Sequence, residues 1–228
     1  MVKYLESKVK IIRRLGILPG LTNKTPIKRK KTPGQHGKII LLKQNRFSLT
    51  DDYKLCLLEK QKLKFNYGIT EKQLFNYYKK AKNLKGSTGN ILLQLLESRL
   101  DAIIYRLGFS STICEARQII NHKHILINNN IVNIPSYLCT INDIITIKEK
   151  IISQNLIKKN LELELKKREL LNQSNKNIKL LESNFLNFLP NYLELNFETI
   201  TGKIVSKIKR QDILLKINEL KVIEYYSR

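Results

Sequence analysis

The side chains best suited to chemistry in this chain are positively charged hydrogen-bond donors, and one segment concentrates them. Arg99 and Arg106 are seven residues apart, so they fall on one face of a predicted helix. Arg117 follows on the next predicted helix, and His122-Lys123-His124 forms the loop after it. Two helices and a loop could therefore present these donors together to phosphate, sugar or base-edge acceptors, which is the pattern of contacts that RNA recognition uses.

The acidic residues of the same segment leave a second interpretation open. Residues 97–150 contain six Lys and Arg against five Asp and Glu, so their net charge is only +1. Arg99 and Arg106 can therefore pair with Glu97 and Asp101 on a solvated helix instead of binding a ligand. Spacing alone does not decide between the two interpretations.

Residues that would support catalysis or metal binding do not cluster in the sequence. Cys56, Cys114 and Cys139 are dispersed without a C-x-x-C pair, and the three histidines are too few and badly spaced for a metal site. We expect no metal, no cofactor and no disulfide, and we interpret all three cysteines as small buried apolar residues in a reducing compartment. The sequence shows neither a nucleophile–base pair nor a Gly-rich phosphate loop, so we expect neither an enzyme nor a small-molecule substrate.

Helices are predicted on both sides of the arginine cluster. One begins at Ser48, and Thr70-Glu71-Lys72-Gln73 fits a capping box that starts the next, in which Tyr77 and Tyr78 lie on the apolar stripe. A helical region covers 91–107, and a second capping box at Thr112-Ile113-Cys114-Glu115 opens a helix through Ile120. These helices would carry Arg99, Arg106 and Arg117.

The hydrophobic period then changes from 3.6 to 2, which predicts strands. Residues 125–127 and 131–134 flank Asn128-Asn129-Asn130 and predict a β-hairpin, because Asn tolerates the left-handed conformation of such turns. Residues 143–147 predict a third strand. Residues 149–189 predict a solvated helix and an Asn-rich linker, and a strand at 192–198 precedes two or three further short strands up to residue 225.

The charge distribution indicates a polyanionic partner. The chain carries a formal net charge of +23, and residues 1–50 hold 13 Lys and Arg against one acid. Charge of this size repels itself in a compact fold, and nucleic acid phosphates neutralise it well. Residues 1–47 therefore predict a basic extended arm with turns at its Pro and Gly residues. A membrane is the rival partner, but no apolar run reaches the 18 residues of a spanning helix. An acidic protein is the third possibility.

Segments along nearly the whole chain resemble the family of small-subunit ribosomal protein four. Residues 95–137 are similar to its RNA-binding module, which also occurs inside RNA-modifying enzymes. Further similar segments are Arg13-Arg14-Leu15-Gly16, Pro33-Gly34-Gln35-His36-Gly37, Glu59-Lys60-Gln61-Lys62-Leu63, Phe65-Asn66-Tyr67-Gly68 and Glu224-Tyr225-Tyr226-Ser227-Arg228. Residues 149–189 lie outside the resemblance. The similarity looks closest to the plastid form of the family.

The resemblance implies an early-assembling protein that binds small-subunit rRNA at a multi-helix junction. It also implies positions near the fifth small-subunit protein and the mRNA entry region. The residues expected to contact RNA are Arg99, Arg106, Arg117, Gln118, His122, Lys123 and His124 in the module, Arg13, Arg14, Lys28, Arg29, Lys30, Lys31, Gln35 and His36 in the arm, and Lys60 and Lys62. Bacterial relatives have Asn-Gly-Lys-Arg in the hairpin turn; the uncharged turn here is not expected to bind RNA.

The expected fold class is α+β with two domains. A mainly helical N-terminal domain, 48–92, is completed by C-terminal strands in 190–228, and the helix–helix–β-hairpin module, 93–148, is inserted between them. This discontinuity is implied by the resemblance. Residues 149–189 form a further low-complexity insertion.

Two other functions compete with a structural role in the ribosome. An RNA-modifying enzyme resembling a pseudouridine synthase would need a separate catalytic domain, but only about 80 residues follow the module and half are low-complexity. A regulatory RNA binder that acts off the ribosome is the other alternative.

The bias towards Lys, Asn, Ile and Leu, with Arg only 10 of 42 basic residues, indicates an AT-rich genome such as that of a non-photosynthetic plastid (an apicoplast, for example). A mitochondrion or a bacterial cytoplasm are the alternative locations.

Overall fold

The structure, a computed structural model, describes residues 7–24, 49–174, 189–196, 199–213 and 215–227. Its helices are α1 (Lys8–Leu15), α2 (Leu49–Asn66), α3 (Glu71–Lys82), α4 (Thr88–Glu97), α5 (Leu100–Arg106), α6 (Ile113–Asn121), α7 (Ile151–Ser174) and α8 (Glu219–Ser227), with a 3-10 turn at Arg210–Asp212. Its strands are β1 (Ile125–Ile127), β2 (Asn130–Ile131), β3 (Ile144–Ile147), β4 (Leu193–Asn196) and β5 (Thr201–Ile204). The α+β class is therefore confirmed.

The chain divides into two compact units. The first comprises residues 1–92 and 216–228, and the second comprises residues 93–215. Within the first, α2 packs against α8. The capping box at the start of α3 is confirmed, because the Gln73 N–H donates to Thr70 Oγ1 at 3.3 Å and the Thr70 N–H donates to Gln73 Oε1 at 3.2 Å. Tyr77 and Tyr78 are buried, as their position on the apolar stripe predicts.

The predicted arm and the predicted C-terminal strands both need correction. Residues 8–15 form α1, whose Ile11, Ile12 and Leu15 are buried, because these residues form an apolar face that the surrounding charges obscure. Residues 219–227 form α8, where the sequence predicts a short strand up to residue 225. Asn218 caps this helix by accepting from the Lys221 N–H at 3.4 Å, a helix-start signal that outweighs strand propensity here.

The second unit is built on one antiparallel sheet with strand order β2-β1-β3-β5-β4. The hairpin of β1 and β2 is confirmed, and its two turn residues Asn128 and Asn129 have φ of +48° and +67°. The two C-terminal strands extend this sheet, with Ile145 opposite Gly202, so they do not complete the helical domain as predicted. Gly202 is required there, because a Cβ would lie 2.5 Å from a methyl carbon of buried Leu107.

Two predicted helical segments differ in detail from the structure. The region 91–107 is two helices, because Ser98 and Arg99 leave the helix to bond a neighbouring loop: the Cys139 N–H donates to Ser98 O at 2.9 Å. In the second capping box, Thr112 accepts from the Glu115 N–H at 3.3 Å as predicted. The Glu115 carboxylate, however, accepts from the Ser111 N–H at 2.7 Å instead of reaching back to Thr112.

One side of α7 between Ile151 and Leu163 is buried against the unit, which corrects the prediction of a fully solvated helix. Ile157 and Leu161 are buried, one turn apart on the same side of the helix. Asn160 Nδ2 donates to Phe109 O at 2.9 Å and to Glu115 Oε1 at 3.0 Å. The predicted linker after this helix, 175–188, lies outside the described residues.

The cysteines differ in exposure, which corrects the prediction that all three are buried. Cys56 and Cys139 are buried, whereas Cys114 is exposed in the first turn of α6. Burial, together with the carboxylates of Asp143 and Asp101, raises the pKa of the Cys139 thiol. Only thiolates react quickly with disulfide reagents.

We therefore expect one fast-reacting thiol in the native protein and three after unfolding in urea. The measurement is the time course of reaction with a chromogenic disulfide reagent at neutral pH. Cys114→Ser should abolish the fast phase and leave the slow ones unchanged. A fast phase that survives in Cys114→Ser would contradict the described burial of Cys56 and Cys139.

Candidate nucleic-acid interface

The three arginines predicted to present donors to RNA are buried. Arg99, Arg106 and Arg117 are 2%, 8% and 7% exposed, so they do not form an exposed donor cluster. The alternative interpretation is confirmed in that Arg99 and Arg106 pair with Asp101 and Glu97, but it is wrong in placing them on a solvated helix, because all four side chains are buried. At the break between α4 and α5, Arg99 has an extended backbone and its guanidinium donates to Asp101, two residues later.

Asp101 is the centre of the first buried ion-pair cluster. Its Oδ1 accepts from Arg99 Nε at 3.0 Å and its Oδ2 accepts from Arg99 Nη2 at 2.7 Å, which is the bidentate geometry of a strong charge pair. The same Oδ2 accepts from Arg117 Nε at 2.7 Å. One carboxylate thus joins the start of α5 to the middle of α6.

Glu97 and Arg106 form the second buried pair. Arg106 Nε donates to Glu97 Oε2 at 3.1 Å, and Arg106 Nη2 donates to Oε1. Tyr192, which precedes β4, donates its hydroxyl to Glu97 Oε2 at 3.5 Å. Burial and the Glu97 charge raise the pKa of the Tyr192 phenol well above its ordinary value, so this tyrosine stays a neutral donor. The pair therefore joins the end of α4 to the end of α5 and to the C-terminal part of the sheet.

The loop after α6 is the part of the predicted site that faces solvent. Gln118, His122 and Lys123 are exposed, and His124 is partly exposed. The Lys123 N–H donates to Ile120 O at 2.8 Å and the His124 N–H donates to Ile119 O at 3.2 Å, which is the hydrogen-bond pattern of a Schellman motif. Because these bonds fix the loop, its basic side chains are presented in a defined direction.

Lys123 occupies the left-handed position of that motif, with φ of +60°. Glycine is the usual residue there, and a side chain in this conformation costs about 1–2 kcal/mol. Lys123 therefore lowers the stability of the loop, and it places a positive charge at the exposed tip. This combination favours a role for Lys123 in binding.

Lys123→Gly is therefore expected to separate stability from binding. Removing the strained side chain should leave the second unit as stable as before or stabilise it by up to about 1 kcal/mol. Removing the charge should weaken binding to small-subunit rRNA by roughly tenfold. Hydrogen exchange and a filter-binding titration measure the two effects, and a stabilised variant with unchanged affinity would show that the lysine does not contact RNA.

His124 lies at the edge of the same loop, against α7. Its Nδ1 is 2.8 Å from the hydroxyl of buried Ser153. Burial, and then the charges of His122, Lys150 and Lys148, lower the pKa of His124. Lys148 and Lys150 are not predicted from the sequence, because they follow His124 by more than twenty residues and their spacing gives no sign that they lie near it.

The remaining predicted RNA-binding residues lie in the first unit or outside the described part of the chain. Arg14 is exposed and Arg13 is partly exposed on α1. Lys60 is only 4% exposed, and its Nζ lies 3.0 Å from Glu71 Oε1, which corrects its expected place on an RNA-facing surface. Lys62 is paired with Glu59 at 2.6 Å. Residues Lys28, Arg29, Lys30, Lys31, Gln35 and His36 lie outside the described residues.

The described ranges offer no candidate for a metal site or a membrane-spanning segment. Residues 7–24, 49–174, 189–196, 199–213 and 215–227 contain no group of three or more His, Cys, Asp or Glu side chains that could hold a metal ion. Across the same ranges, no helix combines the length and the apolar character that crossing a bilayer requires.

Comparison with known proteins identifies the family. The profile described as Ribosomal protein S4/S9 N-terminal domain matches residues 3–97, and the S4 domain matches residues 98–145. Relatives named small ribosomal subunit protein uS4c cover all of this chain: those of Rosulabryum capillare (48% identical, aligned over 99% of the relative), Trieres chinensis (46%, 100%) and Tupiella akineta (45%, 100%). Both the profiles and the full-length similarity agree with the resemblance found in the motifs, and the chain belongs to the S4 family of small ribosomal subunit proteins.

Proposed function

We propose that this protein is a structural component of a plastid small ribosomal subunit that binds small-subunit rRNA directly and performs no catalysis. The observation that carries the proposal is the exposed basic loop 122–124, which a Schellman motif fixes within the S4 domain. A positively charged loop of defined shape binds phosphates and 2′-hydroxyls without chemistry. The full-length relatives named uS4c support the ribosomal and plastid context.

Positioning and electrostatics are the proposed mechanism. The net charge of +23 comes from Lys and Arg side chains, which displace counterions from a phosphate backbone when they bind it. The release of these ions gives affinity without sequence preference. The Asp101 and Glu97 ion pairs hold α4, α5 and α6 in one arrangement, so the exposed loop meets RNA in a single geometry. A protein of this kind orders its RNA site early and thereby nucleates assembly of the subunit body.

The proposed neighbours are the fifth small-subunit protein and the mRNA, at the place where mRNA enters the small subunit. Support for a protein neighbour comes from exposed apolar side chains on the outer surface of the second unit, a feature typical of interaction surfaces. These are Ile131, Ile134, Tyr137, Leu138, Ile141 and Ile144. The mRNA contact rests on the family resemblance. The bias towards Lys, Asn and Ile supports a non-photosynthetic plastid as the location.

A salt series with two RNAs tests the proposal. The full-length protein is titrated against a transcript of the plastid small-subunit rRNA and, separately, against bulk tRNA. We expect a preference for the rRNA transcript that persists at physiological salt, because shape-specific contacts survive when counterion release is weakened. Equal affinity for both RNAs, lost together as salt rises, would mean that only nonspecific charge attraction operates and that the proposal is wrong.

A further inference from the structure

The connection between β3 and α7 brings a second set of basic side chains to His124. Ile125 is paired with Ile147, so His124 and Lys148 lie opposite each other at the next position of the ladder. The Lys148 N–H donates to His124 O at 2.9 Å, which fixes this pairing. Residues opposite each other in an antiparallel pair project to the same face of the sheet. Strand pairing therefore places Lys148 beside the His122-Lys123-His124 loop.

The groups around His124 come from three elements and are mostly cationic. His122 follows α6, Lys148 follows β3, and Lys150 immediately precedes α7. The charges of all three act on the His124 ring. Glu149, exposed between the two lysines, supplies a carboxylate in the same connection. Within this cluster, basic groups from separate elements converge on one partly exposed ring, which is an arrangement that an anionic ligand stabilises.

Ser153 allows His124 to exist in either protonation state. Its hydroxyl is buried and lies 2.8 Å from Nδ1. A hydroxyl can donate to a neutral imidazole nitrogen or accept from a protonated one, since it is both donor and acceptor. The ring is thus held in place whichever state it adopts, and its other nitrogen is directed away from this bond.

We propose that an RNA phosphate binds between His124 and the lysines Lys148 and Lys150, and that His124 takes up a proton when it does so. This inference rests on the proposed function and extends its site to residues that the sequence did not indicate. In the free protein the neighbouring cations oppose protonation of the ring. A bound phosphate offsets them, so the imidazolium becomes favourable and donates a charge-assisted hydrogen bond. Binding therefore strengthens as pH falls.

The first test removes the two lysines. The double variant Lys148→Ala/Lys150→Ala should lose roughly tenfold in rRNA affinity per phosphate contact, and its salt slope should fall by about one per lysine. Lys158→Ala/Lys159→Ala is the matched control, because both lysines are exposed on α7 beyond the cluster. A smaller loss in the control supports the site. Equal losses in the two double variants would show that only total charge matters and would overturn the proposal.

The second test follows the proton. Affinity of the wild type for the rRNA transcript is measured from about pH 8 to about pH 5.5. If binding raises the pKa of His124 by about one pH unit, the affinity at low pH should be about tenfold higher than at high pH. His124→Gln should remove this dependence, with its melting temperature checked for intact folding. NMR titration of the His124 ring with and without RNA gives the pKa directly. A wild-type pH dependence identical to that of His124→Gln, or no rise in the ring pKa on adding RNA, would overturn the inference.

The two proposals fail in different ways. If the wild type does not distinguish the rRNA transcript from tRNA, the proposed function is wrong. If it does distinguish them, but neither the lysine pair nor His124 behaves as described, the ribosomal role stands and the phosphate site is wrong.

Discussion

Asp101→Asn is expected to destabilise the second unit by about 3–5 kcal/mol, because it removes the charge of the buried carboxylate to which two buried guanidinium groups donate. Both arginines depend on this carboxylate, and its side chain is only 1% exposed. Asn retains one acceptor oxygen but no charge and none of the bidentate charge pairing. The effect should be measured by hydrogen exchange of amides within 93–215, because local opening reports the stability of one unit in a two-unit chain.

Glu162→Gln is the matched control for that variant, since it removes one carboxylate charge from an exposed position on α7. It should change the exchange of the same amides by less than about 0.5 kcal/mol. If Asp101→Asn is no more destabilising than this control, the buried cluster does not hold α5 to α6. Rescue by replacing Arg99 and Arg117 as well, with apolar residues, would reinforce the assignment.

Arg106 offers the second large effect, because its pairing with Glu97 can be removed from either side. Arg106→Met or Glu97→Leu alone removes the opposite charge from a buried ionised partner and should cost about 3–5 kcal/mol. The double variant removes both charges at once and should recover part of that loss, since an apolar pair of similar volume is nearly neutral. The remaining loss comes from the buried Tyr192 hydroxyl, which no longer has Glu97 Oε2 as its acceptor. Hydrogen exchange across the full cycle gives the coupling between the two side chains.

RNA affinity of the same double variant separates a structural role from a direct contact. If Arg106 serves only to position the helices, Glu97→Leu/Arg106→Met should bind the rRNA transcript as tightly as the wild type. Glu194→Leu/Lys203→Met is the matched control, because it also removes one carboxylate and one cation, from exposed positions that are paired across β4 and β5. A stable Glu97→Leu/Arg106→Met variant that binds much more weakly than Glu194→Leu/Lys203→Met would show that Arg106 contacts RNA.

Local rules predicted much of the fold. The capping residue Thr70, the change of period at Ile125 and the turn at Asn128-Asn129 each act within a few residues, so the sequence carries their full signal. The start of α8 at Asn218 carried a signal of the same kind that its β-branched residues concealed. The position of β4 and β5 depends on the tertiary pairing of β5 with β3. No local sequence pattern predicts that pairing.

The candidate site was harder to predict because it depends on which side of each helix is buried. A spacing of seven places Arg99 and Arg106 on one face only if both lie within one helix, but Arg99 has an extended backbone (ψ 141°) and precedes α5. His124 and Lys148 are brought together by strand pairing across an intervening hairpin. The sequence therefore identified the exposed loop but not its neighbours, and it left the ion-pair interpretation of the arginines as an alternative.

Chemical footprinting of the protein with and without rRNA tests the central division between buried and exposed basic residues most directly. In the free protein, an arginine-specific reagent should leave Arg99, Arg106 and Arg117 unmodified, while a lysine reagent modifies Lys123, Lys148 and Lys150. Adding the rRNA transcript should protect these lysines, with Lys158 and Lys159 protected less. Lysines that react equally with and without bound rRNA, or arginines that react freely until rRNA is added, would contradict the account.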